Sequence, residues 1–344
     1  MIIPDAQNIL IIKWGALGDL IMSTSTIKAV RDNYPNAKIT MLANSLMDEF
    51  LPKGFLIDEY IYLKKSGRRV NESIFKQLLL ISKLRKKKFD LVINLKWKSE
   101  RAGLITYLTG AKIRVGYKEN SFYNFFTHNL NHPLGGYHEV FRNLDIIKTI
   151  GLKAGEENPI IFLSDKDKKF AGDFFIFNSL TKEKTICIHP GASKSNRAWL
   201  PERYIQLSKK LIDEFNVKIL ITWGSNELTL AKGIVDSIGN NAILSPNTNS
   251  IAQLGAVIEH CGLFISVCTG PMNVASAVNT PIVALLGSTD PLDWSPFGEI
   301  HRTIKSPYLL PEYTDEDERL ALDAISVENV WSVVEKRWNE LKKS

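Results

Sequence analysis

"ILIIKWGALGDLIMSTSTIKAV", residues 9–30, opens as a buried strand and ends as an amphipathic helix. In a nucleotide-binding βα unit the turn between the two carries G-x-G-x-x-G, so that phosphate reaches the helix N-terminus without meeting negative charge. Here only Gly15 and Gly18 are present, and Asp19 puts a carboxylate where phosphate would sit. The opening unit is therefore expected to be Rossmann-like in shape but unsuited to a nucleotide's phosphates. Asp19 has two compatible readings. As a cap or first-turn acid it is worth about 1 kcal/mol to the helix; at the carboxyl end of a strand it also stands where a general base would face a cleft.

The same alternation continues outward. Strands are expected near residues 9–13, 38–42 and 90–95, and helices near 19–33, 71–87 and 138–150. "GLKAGEENP" (151–159) breaks the pattern with Gly, Pro and acid, and reads as a linker running to about Asp167. The second half restarts with "TICIHPGAS" (185–193), a helix from about Pro201 to Phe215, the strand "VKILITWGS" (217–225), and the strand-turn-helix-strand block of residues 263–291. Alternating strands and helices predict parallel α/β architecture in two halves, with a cleft between the carboxyl ends of their strands.

The 344 residues suffice for two domains of ordinary size. The first apolar run, Ile9 to Ile12, is interrupted by Lys13 and preceded by Pro4, Asp5 and Asn8, so neither a signal peptide nor a membrane span is expected, and the cytoplasm is the expected compartment. Cys187, Cys261 and Cys268 lack C-x-x-C spacing, which suits reduced thiols and argues against a zinc site. Charge is unevenly spread. Residues 1–150 hold 23 Lys and Arg against 13 Asp and Glu, whereas residues 151–344 hold 20 against 24. The excess gathers in "KKSGRR" (64–69), "KLRKKK" (83–88), "KWKSER" (96–101) and "KIRVGYK" (112–118). These stretches are either solvated helix ends and loops or the face that meets an anionic partner. A nucleic-acid partner would suit the charge, but no helix-turn-helix or aromatic RNA motif accompanies it.

Three loops of the second half carry candidate ligand groups. In "HPGASKSNRAWLPERY" (189–204), Gly191 opens a loop in which Ser193 and the mobile cations Lys194 and Arg197 could hold phosphate, with Trp199 as a packing anchor and Pro201 starting a helix. In "CTGPMN" (268–273), Gly270 leaves room for close backbone approach, Pro271 suits the first helical position, and the orphan N–H groups form a ready anion site. Glu227 in "TWGSNE" follows a strand, where a carboxylate commonly holds a ribose diol, or else is a first-turn helix acid. His132, His138, His189 and His260 lack partners at ligand spacing and are assigned no metal.

Taken in order, "GALGD", "FDLVINL", "RVGY", "HEVFRNLDIIKTIGL", "HPGAS…RAWLPERY" and the block from "SVCTGPMN" to "LLGSTDPLDWSPFG" resemble glycosyltransferase family nine, the ADP-heptose:lipopolysaccharide heptosyltransferases. The resemblance implies a GT-B fold, with two Rossmann-like domains facing a central cleft. The acceptor-binding domain is expected over residues 1–165 and the nucleotide-sugar-binding domain over 166–325, with a helix over 326–344 returning to the first domain. It implies inverting transfer of a heptose from ADP-heptose to the lipopolysaccharide inner core, with Asp19 as general base and no metal or other cofactor.

On the donor side it implies Ser193, Lys194 and Arg197 for the diphosphate together with Thr269, Gly270, Pro271 and Asn273 at the helix start, Glu227 for the ribose, and Thr248 or Asn249 for adenine. On the acceptor side it implies Gly15, Gly18, Arg68, Arg69, Lys96, Lys98 and Arg101, meeting an anionic lipopolysaccharide acceptor with peripheral contact at the inner face of the inner membrane and no nucleic-acid partner. The family's Asp-Thr-Gly-x-x-His reads here as Cys268 to Asn273, and its Gly-Pro-Thr as Gly287-Ser288-Thr289. The displaced aspartate is implied to bind sugar hydroxyls, which a thiol accepts from only weakly. Another nucleotide sugar as donor, or a non-catalytic nucleotide-sugar-binding protein, are the alternatives.

Overall fold

A computed structural model describes residues 6–63, 74–118, 124–133, 135–308 and 314–343. Two compact units divide at 162/163, close to the expected boundary at 165/166. Arg68 and Arg69 lie outside the described residues.

The first unit is a parallel sheet with its crossover helices. In chain order it comprises β1 (Asn8–Ile12), α1 (Leu17–Ile21), α2 (Thr24–Asn33), β2 (Lys38–Ala43), β3 (Glu59–Tyr62), α3 (Ile74–Lys86), β4 (Leu91–Asn94), α4 (Glu100–Leu108), β5 (Ile113–Lys118), β6 (His128–Asn131) and α5 (Glu139–Lys148). The strand order is β3-β2-β1-β4-β5-β6, every pair parallel. β1 pairs in register with β2 (Ile9 with Ile39) and with β4 (Ile9 with Leu91), so Ile9 to Ile12 lose all solvent exposure. Each such side chain stabilises the fold by roughly 1.5–3 kcal/mol relative to exposure.

Leu10 and Ile12 point to one face, where Leu84 of α3 and Ala102 and Ile105 of α4 cover them; α2 and α5 pack on one another. The single helix expected over 19–33 is two. Its break falls at Met22–Ser23, where the Ser23 and Thr24 hydroxyls donate back to Leu20 and Ile21 carbonyls at 2.7 Å each and offer the backbone an alternative to continuous helix.

The second unit repeats the plan with α6 (Asp165–Phe177), β7 (Thr185–His189), α7 (Pro201–Phe215), β8 (Lys218–Ile221), α8 (Leu228–Ile238), β9 (Ala242–Leu244), α9 (Ile251–Glu259), β10 (Leu263–Val267), α10 (Gly270–Ala277), β11 (Ile282–Leu286), α11 (Pro291–Trp294), β12 (Arg302–Lys305), α12 (Asp315–Asp323) and α13 (Val327–Leu341). Its order, β12-β11-β10-β7-β8-β9, is that of the first sheet with strands renumbered from β7. Both are doubly wound orders in which ligands bind beyond the carboxyl ends of the strands.

The expected linker ends earlier than Asp167. Ser164 caps α6 with a reciprocal Ser164–Asp167 box, so the helix starts at Asp165. The C-terminal helix, expected to return to the first domain, is packed within the second unit. Trp331 and Trp338 of α13 lie against Phe215 of α7 at ring separations of 5.4 and 6.4 Å, in a core shared with β7, β8, β10 and β11. Cys187 and Cys261 are buried in this unit and Cys268 is half-buried. Among the described residues no helix is long and apolar enough to cross a membrane.

Candidate functional site

In the first unit the candidate residues gather where β1 and its neighbour β4 end. Asp19 is the third residue of α1, half-buried, with Oδ2 accepting the Ala16 N–H at 3.3 Å. The carboxylate thus folds back over the turn. A Cβ on Gly15 would approach it to 2.7 Å, which explains the glycine there, and the Asn44 amide holds the Gly15 carbonyl at 3.1 Å. Asp19 therefore caps its helix from the strand's carboxyl edge.

Behind this turn lies a charged network that the sequence did not reveal. Lys13, almost fully buried, donates from Nζ to the Leu95 carbonyl and to Glu139 Oε1, both at 3.1 Å, and to Asn143 Oδ1 at 3.4 Å. Glu139 also accepts from Trp97 Nε1 at 3.1 Å, and the Arg142 guanidinium stands 3.7 Å from its Oε2. Removing either ion would leave an uncompensated buried charge, so the cluster fixes α5 to the end of β1.

The loop that follows β4 lies above this network. Lys96 is pushed below the usual lysine range, chiefly by burial and then by Lys13, while the carboxylates of Asp19 and Glu139 pull it back. Lys96 and Asp19 therefore belong to one electrostatic neighbourhood. Lys98 sits over the Trp97 ring at 4.7 Å, and His132 stacks on that ring at 3.9 Å. Burial, then Arg142, lowers the His132 pKa. Arg101 lies in the first turn of α4.

In the second unit Gly191 and Glu227 form a fitted pair. Glu227 is the N-cap of α8 and accepts the Gly224 N–H at 2.7 Å; a Cβ on Gly191 would collide with its carboxylate. His189, at the end of β7, holds Thr222 Oγ1 at 3.2 Å through Nδ1 and approaches Glu227 Oε2 to 3.5 Å through Nε2. Burial pushes this ring below the usual histidine range, with Glu227 opposing. His189 thus serves as a positioning group for Glu227.

The loop that follows Gly191 places Ser193, Lys194 and Arg197 ahead of α7, whose first residue is Pro201. Trp199 is the anchor expected, donating from Nε1 to the Ile325 carbonyl at 2.9 Å and meeting Tyr204 edge-on. The two cations are not free, however. Arg197 is paired with Glu318 of α12, and Lys194 lies 3.4 Å from Asp315 and 3.9 Å from Glu318. Asn196 donates to Glu318 Oε2 and to Asp315 Oδ1, each at 2.9 Å. Glu318 holds Arg197 above the usual guanidinium range and is itself held below the usual carboxylate range by it.

Arg197, Glu318, Cys268, Ser288 and Thr289 line one cleft within this unit. Burial pushes the Cys268 thiol up, tempered by Thr289 and Arg197. Thr269 is the N-cap of α10, Gly270 its first residue and Pro271 its second, one place later than expected; Asn273 donates to the Thr269 carbonyl at 3.2 Å. Thr248 and Asn249 lie in the loop between β9 and α9, where the Asn249 N–H is held by Gln253 Oε1 at 2.9 Å. His260 is tied to the Ala256 carbonyl at 2.8 Å. Among the described residues no cluster of three or more His, Cys, Asp or Glu side chains is arranged to hold a metal ion.

Comparison with known proteins places the fold. The sequence profile of Glycosyltransferase family 9 (heptosyltransferase) matches residues 78–318. Lipopolysaccharide heptosyltransferase 3 of Escherichia coli K12 is 28% identical over 295 residues, covering 82% of this chain and 83% of its own length. The crystal structure of a family 9 glycosyl transferase from Veillonella parvula superposes with a TM-score of 0.82 at 22% identity, covering 98% of both chains. The E. coli ADP-heptose lps heptosyltransferase II superposes at 0.75, with 21% identity and 97% and 99% coverage. The two Rossmann-like units are those of a GT-B fold.

Proposed function

Because the chain belongs to glycosyltransferase family 9, and so is a glycosyltransferase, we propose that it moves a heptose from ADP-heptose to the lipopolysaccharide inner core with inversion at the anomeric carbon. The observation that carries this reading is Asp19, a carboxylate held by a backbone N–H at the end of β1 where a nucleotide-binding unit would have none. In the proposed reaction Asp19 takes the proton from the acceptor hydroxyl as that oxygen attacks the anomeric carbon, and ADP leaves. Positioned base catalysis of this kind is worth about 10²- to 10⁴-fold. Gly15, Gly18, Lys96, Lys98 and Arg101 are assigned to the anionic acceptor. The lysines and the arginine give the first unit the sign of charge that phosphorylated and carboxylated sugars require.

The donor is assigned to the second unit. Backbone N–H groups near Ser193 and at the start of α10 (Thr269, Gly270, Pro271, Asn273) receive the diphosphate, with Lys194 and Arg197. Arg197 has five N–H donors, so it can hold Glu318 and a phosphate oxygen together. Glu227, fixed by Gly224 and backed by His189, receives the ribose, and the backbone at Thr248 or Asn249 the adenine. The name of the similar E. coli ADP-heptose lps heptosyltransferase II supports this choice of donor. Attachment is proposed to be peripheral, at the inner face of the inner membrane. A second reading, the same reaction with another nucleotide sugar, is favoured by Cys268, whose thiol is a poor acceptor for sugar hydroxyls.

Turnover of ADP-heptose with a heptose-deficient core acceptor tests the assignment, with UDP- and GDP-sugars run in parallel to separate the two readings. Asp19→Asn is expected to lower kcat about 10²-fold or more and leave ADP affinity unchanged. Near-normal turnover in that variant would reduce Asp19 to a helix cap.

A further inference from the structure

α3 buries only one side. Leu84 has no exposure and packs with Leu80 and Ile81 on the core that covers Leu10 and Ile12. Half a turn away the helix shows Phe75, Leu78 and Leu79 to solvent, at 67%, 62% and 54% exposure. At about 100° per residue, positions i, i+3 and i+4 share a face, so the three form one apolar patch on the first turns. Lys83 and Lys86 continue towards the same side in the last turns, and Arg85 flanks them. α4, packed beside α3, adds exposed Leu104 and Tyr107, with the Arg114 guanidinium 5.4 Å from the Tyr107 ring.

Large exposed apolar side chains grouped in this way are uncommon on a soluble face and mark an interaction surface. The surrounding charge selects the occupant. Residues 74–118 contain twelve Lys and Arg against two acids, Asp90 and Glu100. A helix with Phe and Leu on one side and lysines along its borders has the chemistry of an interfacial helix: apolar groups enter the acyl boundary while cations meet anionic headgroups. A protein partner would have to be equally acidic around an apolar centre; a bilayer containing anionic lipid meets both requirements at once.

We propose that α3, through Phe75, Leu78 and Leu79 and the cations Lys83, Arg85 and Lys86, docks this protein on the surface of an anionic lipid bilayer. This rests on the reading of the enzyme as peripheral to a membrane and names the element responsible. It also gives the basic stretch 83–88 a role separate from the acceptor residues at the strand ends.

Co-sedimentation of the full chain with vesicles of phosphatidylcholine, with and without phosphatidylglycerol, tests the proposal. The wild type should bind the phosphatidylglycerol vesicles, and binding should weaken as salt rises. The surface variant Phe75→Ser/Leu78→Ser/Leu79→Ser should lose about tenfold or more in partitioning. Transfer to a deacylated, soluble acceptor should be unchanged, which shows that the variant is folded. Lys83→Gln/Arg85→Gln/Lys86→Gln should abolish the preference for anionic vesicles.

Wild-type binding that the Ser variant retains would overturn the assignment to α3 and leave membrane attachment standing. Absence of wild-type binding would overturn both. A dimer in solution that the Ser variant dissolves, without vesicle binding, would assign the face to a second copy instead. Absence of transfer with every nucleotide sugar would remove the enzymatic reading, while the vesicle results would still decide α3.

Discussion

The two units share one strand order and put opposite chemistry after their first strand. Past β1 the turn folds the Asp19 carboxylate over its own backbone N–H, while the cation at the end of that strand, Lys13, is sealed in a buried pair with Glu139. Past β7 the loop offers cations, Lys194 and Arg197, and the compensating acids come from α12, more than 110 residues along the chain. The scaffold fixes where the strand ends point; the residues immediately beyond decide which charge is presented there. On the proposed reading, one unit accepts a proton and the other an anion.

The largest test of this contrast is on the sealed side. Lys13→Met should destabilise the first unit by about 3–5 kcal/mol, because Glu139 is left buried without its partner. Chemical denaturation followed by tryptophan fluorescence would read the loss. Adding Glu139→Gln should recover part of it. A negligible effect of Lys13→Met would mean that Arg142 alone sustains Glu139, and the first unit would no longer depend on a sealed pair.

A smaller effect is expected at Gly191→Ala, where the new Cβ meets the Glu227 carboxylate. The carboxylate must move, and ADP affinity should fall about tenfold, equivalent to 1.4 kcal/mol, in calorimetry. Unchanged affinity would detach Glu227 from the nucleotide.

The smallest is Glu318→Gln, which should raise ADP affinity a few-fold, on the order of 1 kcal/mol or less, by releasing Arg197 and Lys194. Its stability signature has a definite sign. Because pairing lowers the Glu318 pKa, the ion pair stabilises the folded state fully above the ordinary carboxyl range and stops doing so as pH falls through the lowered value. The difference in Tm between wild type and variant should therefore be present at neutral pH and vanish in acid. A difference that persists in acid would mean packing, not charge, ties α12 to the loop.

How much of this could be read from sequence varied with the range of the interactions. β1, β2, β4, β7 and α7 announce themselves through apolar runs or through Pro201 at the helix start, because neighbours in sequence determine them. β3, β5, β6 and β12 went unread. β5 stood only as the basic stretch "KIRVGYK"; the other three are four-residue edge strands, and "HNLN" of β6 has one apolar side chain, so only pairing with β5 makes it a strand. The candidate site divides the same way. Asp19, Gly191, Glu227 and Arg197 stand in recognisable strand-to-helix turns. Lys13 read only as an interruption of a strand, and Glu318 drew no reading at all, because their partners Glu139 and Arg197 are 126 and 121 residues away. Long-range charge pairing leaves no periodicity to find.

The burial of Cys187 and Cys261 beside a partly accessible Cys268 has a practical consequence. The wild-type chain offers thiol reagents one address, and that address opens on the cleft lined by Arg197 and Glu318. Since burial raises the Cys268 thiol, alkylation there should be slow near neutral pH and quicken as the solution becomes alkaline. A ligand seated over it would slow the clock further. Cys268 thus serves as a native occupancy gauge, readable by mass spectrometry without any engineered label.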